Sequence, residues 1–321
     1  MKKSVSIIIP IFNEESCIQA LGTALGELAG RIEKTGNYSV EMLLVDDGSY
    51  DNTWPGLIQL ATKDSRIRLI SFSRNFGHQA ALTCGYRMAT GDAVVCMDAD
   101  LQDPPEVVLD MIAEWEKGAD IVYAIRESRE AETLFKKATA AGFYRVYGYV
   151  TRTTAPLDSG DFRLMSRRAV DAFNEYKEIH RYIRGMVGCL GFKSAFVRYH
   201  RKPRHSGVTK FNAVKMILFA MDAIISSSTV PLRMIYLCGF LCVVPVLIYL
   251  AFSVGGHFLF GWTVDSGWMS LILCTAIFGT LNLVCLGVMG EYVGRLYEQV
   301  RDRPIYLIQK SYPEDDKRVG F

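Results

Sequence analysis

Val94-Val95-Cys96-Met97-Asp98-Ala99-Asp100-Leu101-Gln102-Asp103-Pro104-Pro105-Glu106 is the stretch on which the reading of the chain turns. An apolar run with strand character stops at two carboxylates one residue apart, and a polar turn leads into a Pro-Pro-Glu helix start. Two carboxylates at i and i+2, just beyond a strand's carboxyl end, can share one hard divalent cation. Such a cation keeps waters and takes further ligands from a diphosphate. In an open α/β sheet that edge is where ligands sit. The stretch therefore points to a nucleotide-diphosphate site, although a lone Asp-x-Asp is more often a turn that caps the following helix.

Outward from this point the pattern alternates between short buried runs and helical faces. Ser4 to Ile9 is predicted as a strand, left through Pro10-Ile11-Phe12-Asn13-Glu14-Glu15, and Leu21, Leu25, Leu28 and Ile32 then mark one helical face. Val40 to Val45 is a second buried strand, stopped by Asp46-Asp47-Gly48-Ser49, and Asp51 or Asn52 caps a helix from Thr53 to Lys63. Ile67 to Phe72 is a third, followed by Ser73-Arg74-Asn75-Phe76-Gly77-His78 and a helix to Met88. Gly91-Asp92 turns the chain into the strand that carries Asp98 and Asp100; a helix to Lys117 and a strand from Asp120 to Ile125 follow. This alternation predicts an α/β fold, a largely parallel sheet with helices on both faces. No Gly-x-Gly-x-x-Gly follows the first strand and no Gly-x-x-x-x-Gly-Lys loop is present, which argues against a dinucleotide-binding dehydrogenase and a P-loop enzyme.

Three strand ends thus carry Asn13-Glu14, Asp46-Asp47 and Asp98-Ala99-Asp100. Carboxylates gathered at one sheet edge repel one another unless a cation or ligand donors hold them, so the set is harder to explain structurally than any member.

The 321 residues carry a formal net charge of +2, which hides an uneven distribution. Lys193 to Met221 holds seven Lys and Arg and no acidic residue, and two uncharged apolar stretches follow, Met234 to Gly256 and Ser266 to Gly290. Each suffices to cross a hydrocarbon core of roughly 30 Å, which takes about 20 helical residues. The first strand begins almost at Met1, so no signal peptide is expected ahead of them. The eight cysteines are scattered without a Cys-x-x-Cys, and they read as small buried hydrophobes in a reducing compartment. No nucleic-acid partner is expected.

Ile9-Pro10-Ile11-Phe12-Asn13-Glu14, Val45-Asp46-Asp47-Gly48-Ser49, Asp98-Ala99-Asp100-Leu101-Gln102-Asp103-Pro104 and Gly160-Asp161-Phe162-Arg163-Leu164 together resemble the motif set of family 2 glycosyltransferases. Within that family the chain is similar to bacterial polyprenyl-phosphate glycosyltransferases, the bactoprenol glucosyltransferases among them, and more distantly to dolichyl-phosphate mannose synthases. The resemblance implies a GT-A Rossmann-like domain, a nucleotide-sugar donor, Mg²⁺ or Mn²⁺, and inversion at the anomeric carbon. It also implies that Asp98 and Asp100, with Gln102 alongside, hold the metal against the donor diphosphate. Asp46 would accept from the nucleobase and Pro10, Asn13 and Glu14 would line the nucleoside pocket; Asp47 would either reach the ribose or hold the turn.

Asp161 is the candidate base by the same resemblance. A lipid-phosphate acceptor, however, has a second pKa near ~6 by analogy with phosphorylated side chains and is largely dianionic at neutral pH. Asp161 is therefore expected chiefly to position sugar and acceptor. Arg163, two residues on, is assigned to the other face of the strand as a structural partner for a carboxylate. Arg126, Arg204 and Lys210 are the candidate acceptor-phosphate ligands, whereas Arg201 and Lys202 face lipid headgroups. His180, Arg181 and Arg184 fall in a helix-like stretch, with solvation their plainest reading.

The expected organisation is a cytoplasmic catalytic domain over 1–207, an interfacial amphipathic helix over 208–230, a two-helix transmembrane region over 231–296 and a cytoplasmic tail over 297–321. The helix is marked by Val214, Ile217, Leu218, Met221, Ile224 and Ile225. The loop His257 to Asp265 has no Lys or Arg, whereas Arg233, Arg295, Arg301, Arg303 and Lys310 flank the other ends. The positive-inside rule then puts both termini and the catalytic domain on the cytoplasmic side of a bacterial inner membrane. A tetramer is implied by the family alone. The expected reaction moves one hexose, with UDP-glucose favoured over UDP-N-acetylhexosamine or GDP-mannose, to undecaprenyl phosphate for cell-envelope glycan modification such as that of O-antigen. A catalytically silent membrane scaffold is the alternative from another class.

Overall fold

Val5, Ile7, Ile8, Ile9 and Ile11 leave strand β1 (Lys3–Ile11) without a polar face over most of its length, the signature of a strand covered on both sides. The computed structural model that shows this describes residues 2–36, 38–126, 159–200, 229–260 and 267–314. It divides into two units, Met1–Asn212 with Pro304–Phe321, and Ala213–Arg303.

In the first unit β1 is followed by a 3-10 turn (Glu15–Cys17), α1 (Ile18–Thr35), β2 (Tyr38–Asp46), α2 (Thr53–Lys63), β3 (Ile67–Phe72), α3 (His78–Met88), β4 (Ala93–Cys96), α4 (Val107–Glu116) and β5 (Ile121–Arg126). Then come β6 (Ser159–Ser166), α5 (Arg167–Asn174), α6 (Ile183–Cys189) and β7 (Ser194–Tyr199). Strand β8 (Ile308–Tyr312) completes an eight-stranded sheet of order β7-β5-β6-β4-β1-β2-β3-β8. The pairs β1–β2, β1–β4, β2–β3 and β5–β7 are parallel, and β6 and β8 run antiparallel to their neighbours.

Alternation along the strands feeds two cores. Ile7, Ile9, Val95, Val122, Phe162 and Leu164 pack with α1, α2 and α4 on one side. Ile8, Leu43, Cys96, Tyr123 and Met165 pack with α3, α5 and α6 on the other. Because β6 is antiparallel to β4 and β5, its first residues lie at the edge where β1, β2, β4 and β5 end. One edge therefore collects the ends of β1 to β5 and β7 and the beginnings of β6 and β8, the geometry in which ligands bind such sheets.

Strand β8 is an edge strand, antiparallel to β3. Tyr306, just before it, stacks on Phe72 with ring centroids 5.0 Å apart, and the Leu307 carbonyl accepts from the Ser73 N–H at 3.0 Å.

In the second unit, α7 (Val230–Phe260) and α8 (Trp268–Val300) each contain a segment long and apolar enough to cross a membrane, Leu232–Tyr249 and Cys274–Val300. The first helix runs four residues into the expected interhelical loop, since His257, Phe258, Leu259 and Phe260 include no breaker. The basic run with Arg204 and Lys210, and the expected interfacial helix up to residue 228, lie outside the described residues.

Candidate active site

At the end of β1 the chain turns through Asn13, whose φ of 52° is rare for a non-glycine residue. That turn is stitched to the loop after β2. The Asn13 N–H donates to Ser49 Oγ at 2.9 Å, Asn13 Oδ1 accepts from the Tyr50 N–H at 3.1 Å, and the Glu14 N–H donates to Thr53 Oγ1 at 2.9 Å. Pro10 pairs in register with Val45, and Ile11 with Asp46, so the two motifs lie side by side.

Asp46 and Asp47 are buried, and both spend their carboxylates on the protein. Asp46 accepts from Ser71 Oγ at 2.7 Å and from the Ser49 N–H at 3.1 Å. Asp47 accepts from the N–H groups of Phe76 at 2.7 Å and Gly77 at 2.9 Å, so it holds the loop after β3. Burial pushes its carboxyl above the usual range despite those donors, with the Asp46 charge adding to the effect. Gly48, at φ 69°, sits with its Cα so close to Arg74 that a Cβ would stand 2.3 Å from the Arg74 carbonyl carbon. Only glycine allows that contact.

The end of β4 is different. Asp98 faces a crowd of like charge: burial first, then Asp161, Asp103 and Asp100, push its carboxyl up to about 6, against the opposing pull of His78. Asp100 Oδ1 accepts from the Gln102 N–H at 3.1 Å across Leu101, a second non-glycine residue in the left-handed region at φ 54°. Strain of this kind costs about 1–3 kcal/mol and collects at functional sites. Gln102 and Asp103 are buried behind the turn. Among the described residues no group of three or more His, Cys, Asp or Glu side chains is arranged to hold a metal alone. Two carboxylates and an amide nevertheless suit a hard divalent cation that completes its shell from a diphosphate and water. Such a cation would offset the burial and the like charge that raise the Asp98 carboxyl.

Asp161 enters from the neighbouring strand. Cys96 pairs with Arg163, so in the same register Asp98, two residues beyond, lies opposite Asp161. Asp161 is nonetheless held well below the usual carboxylate range. Burial raises it, but hydrogen bonds from His78 and Arg184 and the charges of Arg163 and Arg184 outweigh burial. Arg163 Nη2 donates to Oδ1 at 2.9 Å; Arg184 Nε donates to Oδ1 at 3.0 Å and its Nη2 to Oδ2 at 2.8 Å; His78 Nε2 stands 3.4 Å from Oδ2. Arg163 therefore does not point to the opposite face. Residues i and i+2 of a strand share a face, and here it is the one covered by α3, α5 and α6. Arg163 is wholly buried and also donates to the Gly160 carbonyl at 3.1 Å.

Arg184 is likewise more than a solvated cation, because it grips Asp161 from the first turn of α6. His78 opens α3, directly after the loop fixed by Asp47. Burial lowers its pKa, but the bond to Asp161 and the charges of Asp98 and Asp161 outweigh burial and raise it. The signal for His78 was its place at the end of β3, on the edge that carries the acidic motifs. Arg184 had no such signal. Arg181 is also buried, and its Nε donates to the Glu178 carbonyl at 3.0 Å.

Arg126 closes the far side of this edge. Its Nε donates to Tyr199 Oη at 3.1 Å, Tyr199 donates to Asp103 Oδ1 at 2.6 Å, and Arg126 Nη2 lies 3.8 Å from the same oxygen.

A mostly parallel sheet with these motifs along its carboxyl edge defines a GT-A glycosyltransferase. The chain belongs to glycosyl transferase family 2, whose model matches residues 6–181. It is 43% identical over 314 residues to the uncharacterized glycosyltransferase YkcC of Bacillus subtilis (strain 168), covering 98% of this chain and 96% of the relative. It is 36% identical over 308 residues to the SfII prophage-derived bactoprenol glucosyl transferase of Shigella flexneri, covering 96% of this chain and 98% of the relative. Among solved structures, glucosyl-3-phosphoglycerate synthase from Mycobacterium tuberculosis is 16% identical and covers 70% of this chain and 78% of its own, with a TM-score of 0.48. That likeness is too slight to bear on substrate.

Proposed function

We propose that the protein transfers one hexose, glucose from UDP-glucose, with inversion to undecaprenyl phosphate at the cytoplasmic face of a bacterial membrane. The observation that carries the site is Asp98, opposite Asp161 at the carboxyl edge of the sheet, its carboxyl pushed up to about 6 by burial first and then by neighbouring carboxylates; such an edge suits a nucleoside diphosphate. The near full-length similarity to a bactoprenol glucosyl transferase supports the acceptor, and the two apolar helices support the membrane. The absence of Lys and Arg from 257–265, set against the basic flanks, supports cytoplasmic termini.

In this reading the donor lies along the edge in strand order. The nucleoside occupies the end of β1 and β2, lined by Pro10, Asn13 and Glu14, with Asp46 toward the base and Asp47 holding the loop. The diphosphate lies at the end of β4 beside Asp98, Asp100 and Gln102, which would hold Mg²⁺ or Mn²⁺; the bound ion supplies charge stabilisation for the departing diphosphate. The sugar then faces β6. An oxygen of the acceptor phosphate forms the new bond to the anomeric carbon while the bond to the diphosphate breaks and its electron pair leaves with UDP. A dianionic acceptor gives up no proton in that step. Asp161, with its oxygens occupied by cationic donors, is a poor proton acceptor and acts by holding those donors in place. Arg126, with Arg204 and Lys210, would attract the anionic headgroup.

The same chemistry with UDP-N-acetylhexosamine or GDP-mannose differs only in the fit of the donor. A silent scaffold would gain nothing from leaving Asp98 in a charged crowd. Metal-dependent binding of UDP to the full-length protein, lost in Asp98→Ala, separates enzyme from scaffold; UDP binding indifferent to EDTA and to the substitution would refute the proposal.

A further inference from the structure

Asp161 gathers more positive charge than one carboxylate neutralises. Arg163 alone, wholly buried at 2.9 Å, balances it. Arg184 then adds a second full charge through two hydrogen bonds, and His78 a third when protonated. Unlike Arg163, these two side chains remain accessible, 41% for Arg184 and 44% for His78. We propose that His78 and Arg184, set in place by Asp161, are the binding site for the phosphomonoester group of the acceptor, on the β6 side of Asp98. The inference rests on the reaction proposed above and adds two ligands to it.

Three observations support it. The pair is built rather than incidental: Gln79 Oε1 accepts from the Ile183 N–H at 3.1 Å, tying the start of α3 to the start of α6 beside the two side chains. Among the described residues Arg184 Nη1 donates to no neighbour, which leaves an N–H edge for a phosphate oxygen. In the strand order β2-β1-β4-β6, Asp161 on β6 lies beyond β4, where the proposed placement puts the donor diphosphate. Asp161 holds His78 of α3 and Arg184 of α6, and so lies on the side from which the attacking nucleophile would come. Arg126 offers less surplus charge, because Asp103 stands 3.8 Å from its Nη2.

The test uses the full-length, detergent-solubilised protein and two titrations by calorimetry. One is with farnesyl phosphate, a short soluble stand-in for the acceptor; the other is with UDP in Mg²⁺. Removing one charge-assisted hydrogen bond should weaken phosphate binding about tenfold. Expected are wild-type binding of farnesyl phosphate but not of farnesol, loss of about tenfold in His78→Gln and in Arg184→Gln, and partial rescue in Arg184→Lys. UDP affinity should change less than about twofold in all three, which also reports that they are folded. Inorganic phosphate should compete weakly with farnesyl phosphate, through the head group alone. Unchanged farnesyl phosphate affinity in His78→Gln and Arg184→Gln would overturn the inference. So would a parallel loss of UDP affinity, which would assign the pair to the donor diphosphate. Farnesyl phosphate binding that depends on the pair, in a protein that transfers no sugar, would uphold the site while refuting the proposed reaction.

Discussion

The ends of β2 and β4 carry similar acidic signals, Asp46-Asp47 and Asp98-Ala99-Asp100, and the protein uses them in opposite ways. At β2 the carboxylates are consumed internally: a serine hydroxyl and three backbone N–H groups take up Asp46 and Asp47, and the loops after β2 and β3 are fixed by them. At β4 Asp98 is left among Asp100, Asp103 and Asp161, and its carboxyl rises to about 6. The β2 carboxylates are satisfied from within and fix loops, whereas Asp98, raised by burial first and then by its neighbours, is the one that a cation would relieve in the proposed function. Asp161 shows that burial alone does not decide between the two, because it is buried as deeply as the β2 pair and is over-supplied with cations.

Substitutions at the two ends should therefore fail differently. Asp98→Ala should lower sugar transfer by roughly 10²–10³-fold or more through lost stabilisation of the leaving diphosphate, while the protein stays folded by circular dichroism. Asp161→Asn should lower the plateau of the pH–rate profile by up to roughly a hundredfold, the scale of a misplaced reactant. It should also keep the wild-type shape; loss of an acidic limb, the fall in rate as a base becomes protonated, would make Asp161 a true base. Asp47→Ala should cost about 1–3 kcal/mol of stability by stripping partners from the Phe76 and Gly77 N–H groups, read as a lower midpoint in urea. Ser71→Ala, which removes a single donor to Asp46, should cost less, about 0.5–1.5 kcal/mol.

The sharpest contrast is in pH dependence. Asp98 titrates at about 6 in the folded chain, against about 3.9 when unfolded. Its ionisation therefore destabilises the folded state as pH rises through that interval, and the penalty persists above it. In EDTA, Asp98→Asn should melt above the wild type at pH 7.5 and level with it near pH 4; an equal or lower melting temperature at pH 7.5 would place Asp98 outside the crowd. Saturating Mg²⁺ should narrow the difference.

The strands β1 to β5 and their helices were readable because each is a local apolar run with a turn at its end, and Thr53–Lys63 and Ile67–Phe72 fall where the pattern puts them. Direction and partnership are not local. Nothing in Gly160-Asp161-Phe162-Arg163-Leu164 says that the strand runs antiparallel to β4, which is what brings Asp161 opposite Asp98. Nor does the sequence near Ile308–Tyr312 say that the chain returns from two apolar helices to pair with β3. The acidic half of the site was visible as motifs at strand ends. Its cationic half was not, because His78, Arg163 and Arg184 come from three elements and meet only through the shared face of the sheet.

The most direct measurement is transfer from radiolabelled UDP-glucose, UDP-N-acetylglucosamine and GDP-mannose to undecaprenyl phosphate by the solubilised protein, with Mg²⁺, with Mn²⁺ and with EDTA. The account predicts a glucosylated lipid from UDP-glucose, formed with either metal and abolished by EDTA. A lipid-linked product that forms undiminished in EDTA, or no product from any donor, would contradict it.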